Sequence, residues 1–349
     1  MQISDTSRQP LLIQDLSGNR DRCQPLINTK LHRIGTAALY MAGMILITIF
    51  SSLLVYILIK LNPISIPSAR NTFWGISYNP ARPDEWCPTV DKVTEDLLMI
   101  SPITNRIRTY ADACHLDVVL TAIEQNPKAL GKFRVMAAIP VTSDNDANQG
   151  GIREILAVIK KHGLRHIDMI NVGNEVIMRH LLPVESLIDL IHQVRRQVGA
   201  MFFQRVSITT VDVVTSFYDN HRLVNAVDAV VANLHPYFAA DVPATAAADT
   251  TFSQLYELQD RSEGKEVIIG ETGWPSAGGG SRTTPDNYDI YMKEFVCRAT
   301  RDNIKFYWFE AFDASWKTDA DEIERHWGIF TADRVNKTGL VLPPFPHCK

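Results

Sequence analysis

The sequence predicts an α/β fold of the (β/α)8 TIM-barrel type, preceded by a single N-terminal transmembrane helix. Three observations lead there. Residues 34–59, IGTAALYMAGMILITIFSSLLVYILI, form a long run without one charged side chain. From residue 71 onward the chain carries neither low complexity nor a charge run, and its length suits one large domain. Within that stretch eight short apolar runs begin roughly 22 to 40 residues apart, the spacing of strands that are each followed by a helix.

The N-terminal run is long enough to cross a hydrocarbon core of about 30 Å with some tilt. A buried core helix rarely stays uncharged for so long. A cleaved signal peptide would begin near the terminus, whereas here 33 residues come first. Arg8, Arg20, Arg22, Lys30 and Arg33 precede the run, and only Lys60 and Arg70 follow closely. The positive-inside bias then predicts a type II, single-pass arrangement, with the N-terminus cytoplasmic and everything after residue 60 extracellular or lumenal. Residues 1–33 read as a disordered cytoplasmic tail, 34–59 as the anchor, 60–70 as a linker and 71–349 as the barrel.

Cysteine usage agrees with that topology. Cys23 falls in the tail, while Cys87, Cys114, Cys297 and Cys348 fall on the far side, an even number suited to an oxidising compartment. Three pairings are open; Cys87 with Cys114 is favoured, because both follow early strands and should share one rim. Asn336-Lys337-Thr338 is a glycosylation sequon on the same side. Net charge is −4, so no basic surface points to nucleic acid. The partner expected from the anchor segment is a lipid bilayer, with the chain a monomer.

The candidate strands are residues 73–78, 106–110, 133–139, 166–172, 206–211, 229–234, 266–270 and 305–309. Helix-period stretches lie between them. GGIREILAVIKKHG places Ile152, Ile155, Leu156 and Ile159 on one face and ends in Gly163, and SLIDLIHQVRRQV does the same with Leu187, Leu190, Ile191 and Val194. A doubly wound open sheet is the competing arrangement. It would open on a glycine-rich phosphate turn, and the first turn here reads SYNPARPDEW.

In such a barrel the site lies where strands end. The fourth run, HIDMINVGNEV, ends in Asn174 and Glu175; the seventh, KEVIIGETGWPS, ends in Glu271. One glutamate there is equally well explained as a helix cap or an arginine partner, but two across one mouth suggest chemistry. Cleaving an acetal needs a proton for the leaving oxygen and negative charge beside the developing oxocarbenium ion. Two carboxylates with separated pKa values supply both. Asn174 is placed to hydrogen-bond a sugar 2-hydroxyl. Gly270 and Gly273 are expected to let the backbone turn sharply and approach a ligand. Tyr78, Tyr110, Tyr237, Trp274, Trp308, Trp316 and Trp327 fall at or beyond strand ends, where flat rings could stack on sugars. Trp308 reads as core, and Trp274 and Trp316 as the preferred platforms.

The segments NVGNEV, VIIGETGWPS, YWFEAFDASWK and HWGIF resemble the fungal branch of glycoside hydrolase family 17, which comprises β-1,3-glucanases and β-1,3-glucanosyltransferases. The resemblance extends over roughly residues 73–332, with RIRTYADAC similar to that family's second strand and AVDAVVANLHPYF to its sixth. It implies a retaining hydrolase or transglycosylase on β-1,3-glucan, serving cell-wall remodelling, with Glu175 as acid/base and Glu271 as nucleophile. It further implies that Glu310 and Lys317 surround the reacting sugar and that Tyr110 lines the cleft. Ala111, the stretch AAIPVTSDNDANQGG and FDASWK depart from the family pattern. All three touch cleft walls, and so bear on chain length and on hydrolysis against transfer.

No histidine cluster has zinc spacing, Gly278–Gly280 precede no Lys-Ser/Thr, and GWPSAG lacks nucleophile-elbow spacing. No metal or cofactor is therefore expected. His235 and His326 could line the cleft or serve structural hydrogen bonds. Two other readings stay open: a membrane-tethered glucan-binding protein without turnover, and a barrel glycosidase with another β-linkage preference.

Overall fold

Eight parallel strands close into one barrel in sequence order. They are β1 (Gly75–Ser77), β2 (Arg106–Arg108), β3 (Arg134–Ile139), β4 (Ile167–Asn174), β5 (Ser207–Val213), β6 (Val230–Asn233), β7 (Val267–Thr272) and β8 (Phe306–Trp308). Each lies within or overlaps one of the eight apolar runs. Those runs read so clearly because strands walled by helices outside and side chains inside must be apolar on both faces.

The computed structural model describes residues 44–48, 50–51 and 73–348, apart from 111, 319, 338–340, 344, 346 and 347. Residues 44–48, 50 and 51 are helical. The rest of the expected anchor, the tail 1–33 and the linker 60–70 lie outside the described residues. Among the described residues no helix is long and apolar enough to cross a membrane.

The helices follow from caps and periodicity. They are α1 (Val90–Ile100), α2 (Ala113–Gln125), α3 (Pro127–Leu130), α4 (Asn145–His162), α5 (Val184–Met201), α6 (Val214–Tyr218), α7 (His221–Ala226), α8 (Ala244–Arg261) and α9 (Pro285–Arg301). Asp144 caps α4 by accepting from Asp146 N and Ala147 N, and Gly163 ends it at φ 73°. The stripe Ile152, Ile155, Leu156 and Ile159 is buried against the barrel, as is Leu187, Leu190, Ile191 and Val194 of α5. Each such side chain contributes about 1.5–3 kcal/mol on burial.

Inside the barrel sits a second, smaller apolar layer, Met136, Met169, Val211, Ala229, Val231, Ile268 and Tyr307, with Trp74 against it. The Arg106–Asp168 ion pair lies near the strand starts. At the opposite, C-terminal ends the strands carry the buried polar side chains Arg108, Asp212, Asn233 and Glu271. Two disulfides complete the frame: Cys87–Cys114, with Cα atoms 6.0 Å apart, and Cys297–Cys348, at 4.9 Å. The first ties the segment after β1 to the start of α2, the pairing favoured from sequence.

Candidate active site

Three strands meet their neighbours through register shifts at the barrel mouth: β4 at Asn171–Asn174, β6 at Ala232–Asn233 and β7 at Ile269–Thr272. Such irregularities re-aim side chains. At the β4 exit Gly173 adopts φ 79°, and a Cβ there would fall 2.3 Å from Val176 Cγ2. Glu175 follows at φ 57°, a left-handed backbone that costs a non-glycine residue roughly 1–2 kcal/mol. The turn is held from β5. Asp212, fully buried, accepts from Ile177 N at 2.8 Å and Met178 N at 3.3 Å, while Glu175 N donates to Val211 O at 2.8 Å.

Glu271, on β7, is 5% exposed and faces Asn233 in register. Fully buried Arg108 of β2 pairs with its Oε1 and also donates to Asn174 Oδ1 at 2.7 Å. Tyr110 Oη donates to the same Oε1 at 2.9 Å, and His235 Nε2 lies 3.2 Å from Oε2. On the other side, Asn233 Nδ2 donates to Glu175 Oε1 at 2.9 Å and to Asn174 Oδ1 at 3.3 Å. Asn174 therefore commits its carbonyl to the scaffold and keeps its amide N–H groups for a ligand.

These surroundings drive the two carboxyls apart. Burial pushes Glu175 up, and the charge of Glu271 adds to that against the Asn233 hydrogen bond. Burial would push Glu271 up as well, but the Arg108 charge and the His235 hydrogen bond prevail and lower it to about 2. Burial, reinforced by the Glu271 charge, raises the Tyr110 phenol well above its usual range, so it stays a donor. Glu310, beyond β8, is pushed by burial to about 7, with Lys317 opposing and Glu271 adding. Lys317 Nζ lies 3.6 Å from Glu310 Oε1 and 3.7 Å from Glu324 Oε2, beyond direct hydrogen-bond range.

These groups line one cleft of about 750 Å³. Of the residues singled out from sequence, Glu175, Glu271, Tyr110, Asn174, Glu310, Trp316 and Lys317 all border it. Trp274 and Tyr237 do not. Trp274 is wholly buried; its indole N–H donates to Arg282 O at 2.8 Å and its ring packs edge-on to Tyr237 at 5.3 Å. Tyr237 is covered by the Arg282 guanidinium at 4.7 Å, and Phe238 takes the place expected of it on the wall. Tyr78 likewise turns to the core, donating to Asp96 at 2.8 Å, and Trp308 is core as expected. Gly270 and Gly273 serve close packing rather than a sharp turn: a Cβ on Gly273 would stand 2.2 Å from Phe309 O. His326 bonds Glu322 at 3.0 Å and does not border the cleft, whereas His235 does.

Sequence reasoning missed Arg108, Asn233, Asp212, Phe238 and Trp86. For Arg108 a signal existed: an arginine two residues before Tyr110, on the same strand face. Among the described residues Asp112, Cys114 and His115 are grouped as metal ligands would be, but the Cys114 sulfur is spent in the disulfide.

A family profile described as the BtgE/BtgC glycoside hydrolase domain matches residues 75–328. Among curated proteins, the "Probable glucan endo-1,3-beta-glucosidase btgC" of Aspergillus flavus is 29% identical over 307 residues, which is 79% of this chain and 43% of the relative. The chain thus spans less than half the length of that relative. The "Glucan 1,3-beta-glucosidase" of Schizosaccharomyces pombe is 28% identical over 288 residues, covering 78% of this chain and 88% of the other. A crystal structure of a glycoside hydrolase family 17 β-1,3-glucanosyltransferase from Rhizomucor miehei is 31% identical, with a TM-score of 0.68 over 77% of this chain and 97% of that one. An active-site mutant of that enzyme, in complex with laminaritriose, superposes equally well, at 0.68 and 30% identity. The chain belongs to the BtgE/BtgC glycoside hydrolase family, within glycoside hydrolase family 17.

Proposed function

We propose that this protein is a retaining enzyme on β-1,3-glucan, with Glu175 as acid/base and Glu271 as nucleophile. The observation that carries the reading is the opposed tuning of two carboxyls in one cleft: Glu271 held ionised, Glu175 pushed towards its acid form. In the first half of the reaction a Glu271 oxygen attacks C1. The C1–O bond breaks, and the Glu175 proton passes to the departing oxygen. In the second half Glu175 takes a proton from water or from a hydroxyl of a second glucan. That oxygen attacks C1 and releases Glu271. Asn174 donates to the 2-hydroxyl of the reacting sugar, and Lys317 and Glu310 bound its other side.

The names of the relatives, glucosidases and a glucanosyltransferase, support this substrate and leave water and sugar as the two acceptors. Time-resolved sizing of products from a defined β-1,3-glucan oligomer separates them: hydrolysis gives only shorter chains, transfer also longer ones. An oligomer left intact would favour a binding protein without turnover, and intact β-1,3 beside a cleaved β-1,4 or β-1,6 oligomer would reassign the linkage.

The same proposal includes a type II anchor at residues 34–59, a monomeric barrel on the extracellular or lumenal side and a role in wall glucan remodelling. The uncharged run, the basic residues before it and the disulfides of the barrel support that placement. Asn336 is exposed, as a glycan acceptor must be. Protease treatment of sealed vesicles should cut the tail near Arg20 and spare the barrel; a shielded tail beside a digested barrel would reverse the topology.

A further inference from the structure

Trp86 plays no part in the chemistry above, yet it borders the cleft and keeps 52% of its surface exposed. An indole left in solvent on a loop would ordinarily be free to move. This one is held at three points. Its neighbour Cys87 is bonded to Cys114, its indole N–H donates to Asp112 Oδ2 at 2.7 Å, and its carbonyl lies 2.5 Å from His115 Nε2. Asp112 is itself fixed, because its other oxygen caps α2 by accepting from Cys114 N at 2.8 Å and His115 N at 3.4 Å. The ring meets Trp316 edge-on, with centroids 5.4 Å apart and planes at 84°, so the two indoles form a corner.

The direction of the glucan through the cleft follows from the two carboxyls. The sugar that departs is the one whose oxygen Glu175 protonates, so it lies towards the exits of β4 to β6, from which Met178, Arg179, Thr215 and Phe238 line the cleft. The sugar retained on Glu271 lies on the opposite side. There, Tyr110 donates to Glu271, and two residues farther along the same exit Asp112 holds Trp86. The Trp86–Trp316 corner thus belongs to the retained side. Lys317 Nζ stands 5.7 Å from the Trp316 ring and 3.7 Å from Glu324, and Lys317 and Glu324 line the same cleft with groups suited to ring hydroxyls.

We propose that Trp86 is a specificity-determining residue: with Trp316 it forms a pre-set stacking site for a glucosyl unit beyond the one attached to Glu271. Rings of this kind bind sugar faces by area and geometry, and immobilisation before binding removes an ordering cost. The inference rests on the reading of this cleft as a β-1,3-glucan-cleaving site.

The test uses the full chain and a series of aryl β-glucosides of one to five β-1,3-linked units with one leaving group, the one-unit donor being the member that cannot reach the site. kcat/KM of the wild type should rise with length. Trp86→Ala should flatten that rise, losing about tenfold more on the longest donor than on the shortest, and Trp86→Phe should restore most of the difference. A tenfold change corresponds to about 1.4 kcal/mol. Equal loss at every length, or equal loss in Trp86→Ala and Trp86→Phe, would overturn the stacking role, the second by assigning the loss to the Asp112 hydrogen bond. A wild type that turns over no member of the series would sink the parent reading instead. Intact-mass analysis without reduction confirms that each variant keeps Cys87–Cys114.

Discussion

Replacing Arg108 by methionine would remove the charge that keeps Glu271 ionised while filling most of the same volume. Glu271 stands at about 2 against an ordinary 4.5, a difference of 2.5 pH units. That is on the order of 3 kcal/mol in favour of the carboxylate, after the cost of burying it has already been met. In Arg108→Met burial dominates, so the Glu271 pKa should rise above its ordinary value. The sign follows from the role: a nucleophile is competent above its pKa and is lost as pH falls through it. The acid limb of kcat/KM, near pH 2 in the wild type, should therefore move above about pH 4.5. Stability should shift the same way. Glu271 with a depressed pKa stabilises the fold above about pH 4.5, and that contribution disappears as pH falls towards 2. The variant lacks it and should lose roughly 3–5 kcal/mol near neutrality, the cost of stranding a buried charge. The assay is the pH profile of kcat/KM on an activated aryl donor, with a thermal melt at each pH. Arg108→Lys, which keeps a charge but not the fork that reaches both Glu271 and Asn174, should fall between the two. An acid limb in Arg108→Met that coincides with that of the wild type would refute the assignment of Arg108 as the group that holds Glu271 charged.

The roles of the two glutamates separate on activated donors: Glu271→Ala should abolish turnover, whereas Glu175→Ala should still form the glycosyl-enzyme and yield a β-azide with added azide. An α-azide would show the roles reversed. Asp212→Ala should leave two backbone N–H groups of the Glu175 turn without an acceptor, lowering kcat by up to about 10²-fold through misplacement and lowering the melting temperature. Unchanged kcat on natural oligomers would show that the turn holds without it. Glu310, raised to about 7, favours the folded state most below its ordinary pKa of 4.5, and this benefit fades as pH rises through 7. Glu310→Gln should remove a pH-dependent stability change of about 3 kcal/mol across that window, read from melts at pH 4 and pH 8.

What could be read from the chain follows the kind of constraint each residue obeys. The strands were legible because two buried faces leave an uninterrupted apolar run. Glu175 and Glu271 were legible as a pair, because two acids ending apolar runs across one barrel mouth suggest chemistry where one alone would read equally well as a helix cap or an arginine partner. Arg108 obeys the same inward alternation, but RIR reads equally well as a solvated strand, and only closure of the barrel puts its guanidinium beneath Glu271. Trp274 and Trp316 sit in similar contexts in sequence. Tyr237, Arg282 and Tyr291 close over the first, whereas the second meets Trp86 edge-on and stays half-buried at the cleft, a distinction that depends on loops far apart in the chain. Trp86 lies beyond any strand end and reaches the cleft through a disulfide whose pairing the spacing of cysteines leaves open.

The electrostatic link between the two carboxyls gives the proposed cycle its own clock. Part of what keeps the proton on Glu175 is the negative charge of Glu271. Once Glu271 becomes an ester that charge is gone, and Arg108 is left cationic with its nearest anion removed. Glu175, having just surrendered its proton, then finds itself in a site less opposed to the carboxylate, which is the form that must deprotonate the incoming hydroxyl. When the ester is cleaved the charge returns to Glu271 and draws a proton back onto Glu175. One residue thus serves as acid and then as base without moving, because its partner's bond to sugar sets its affinity for protons at each stage.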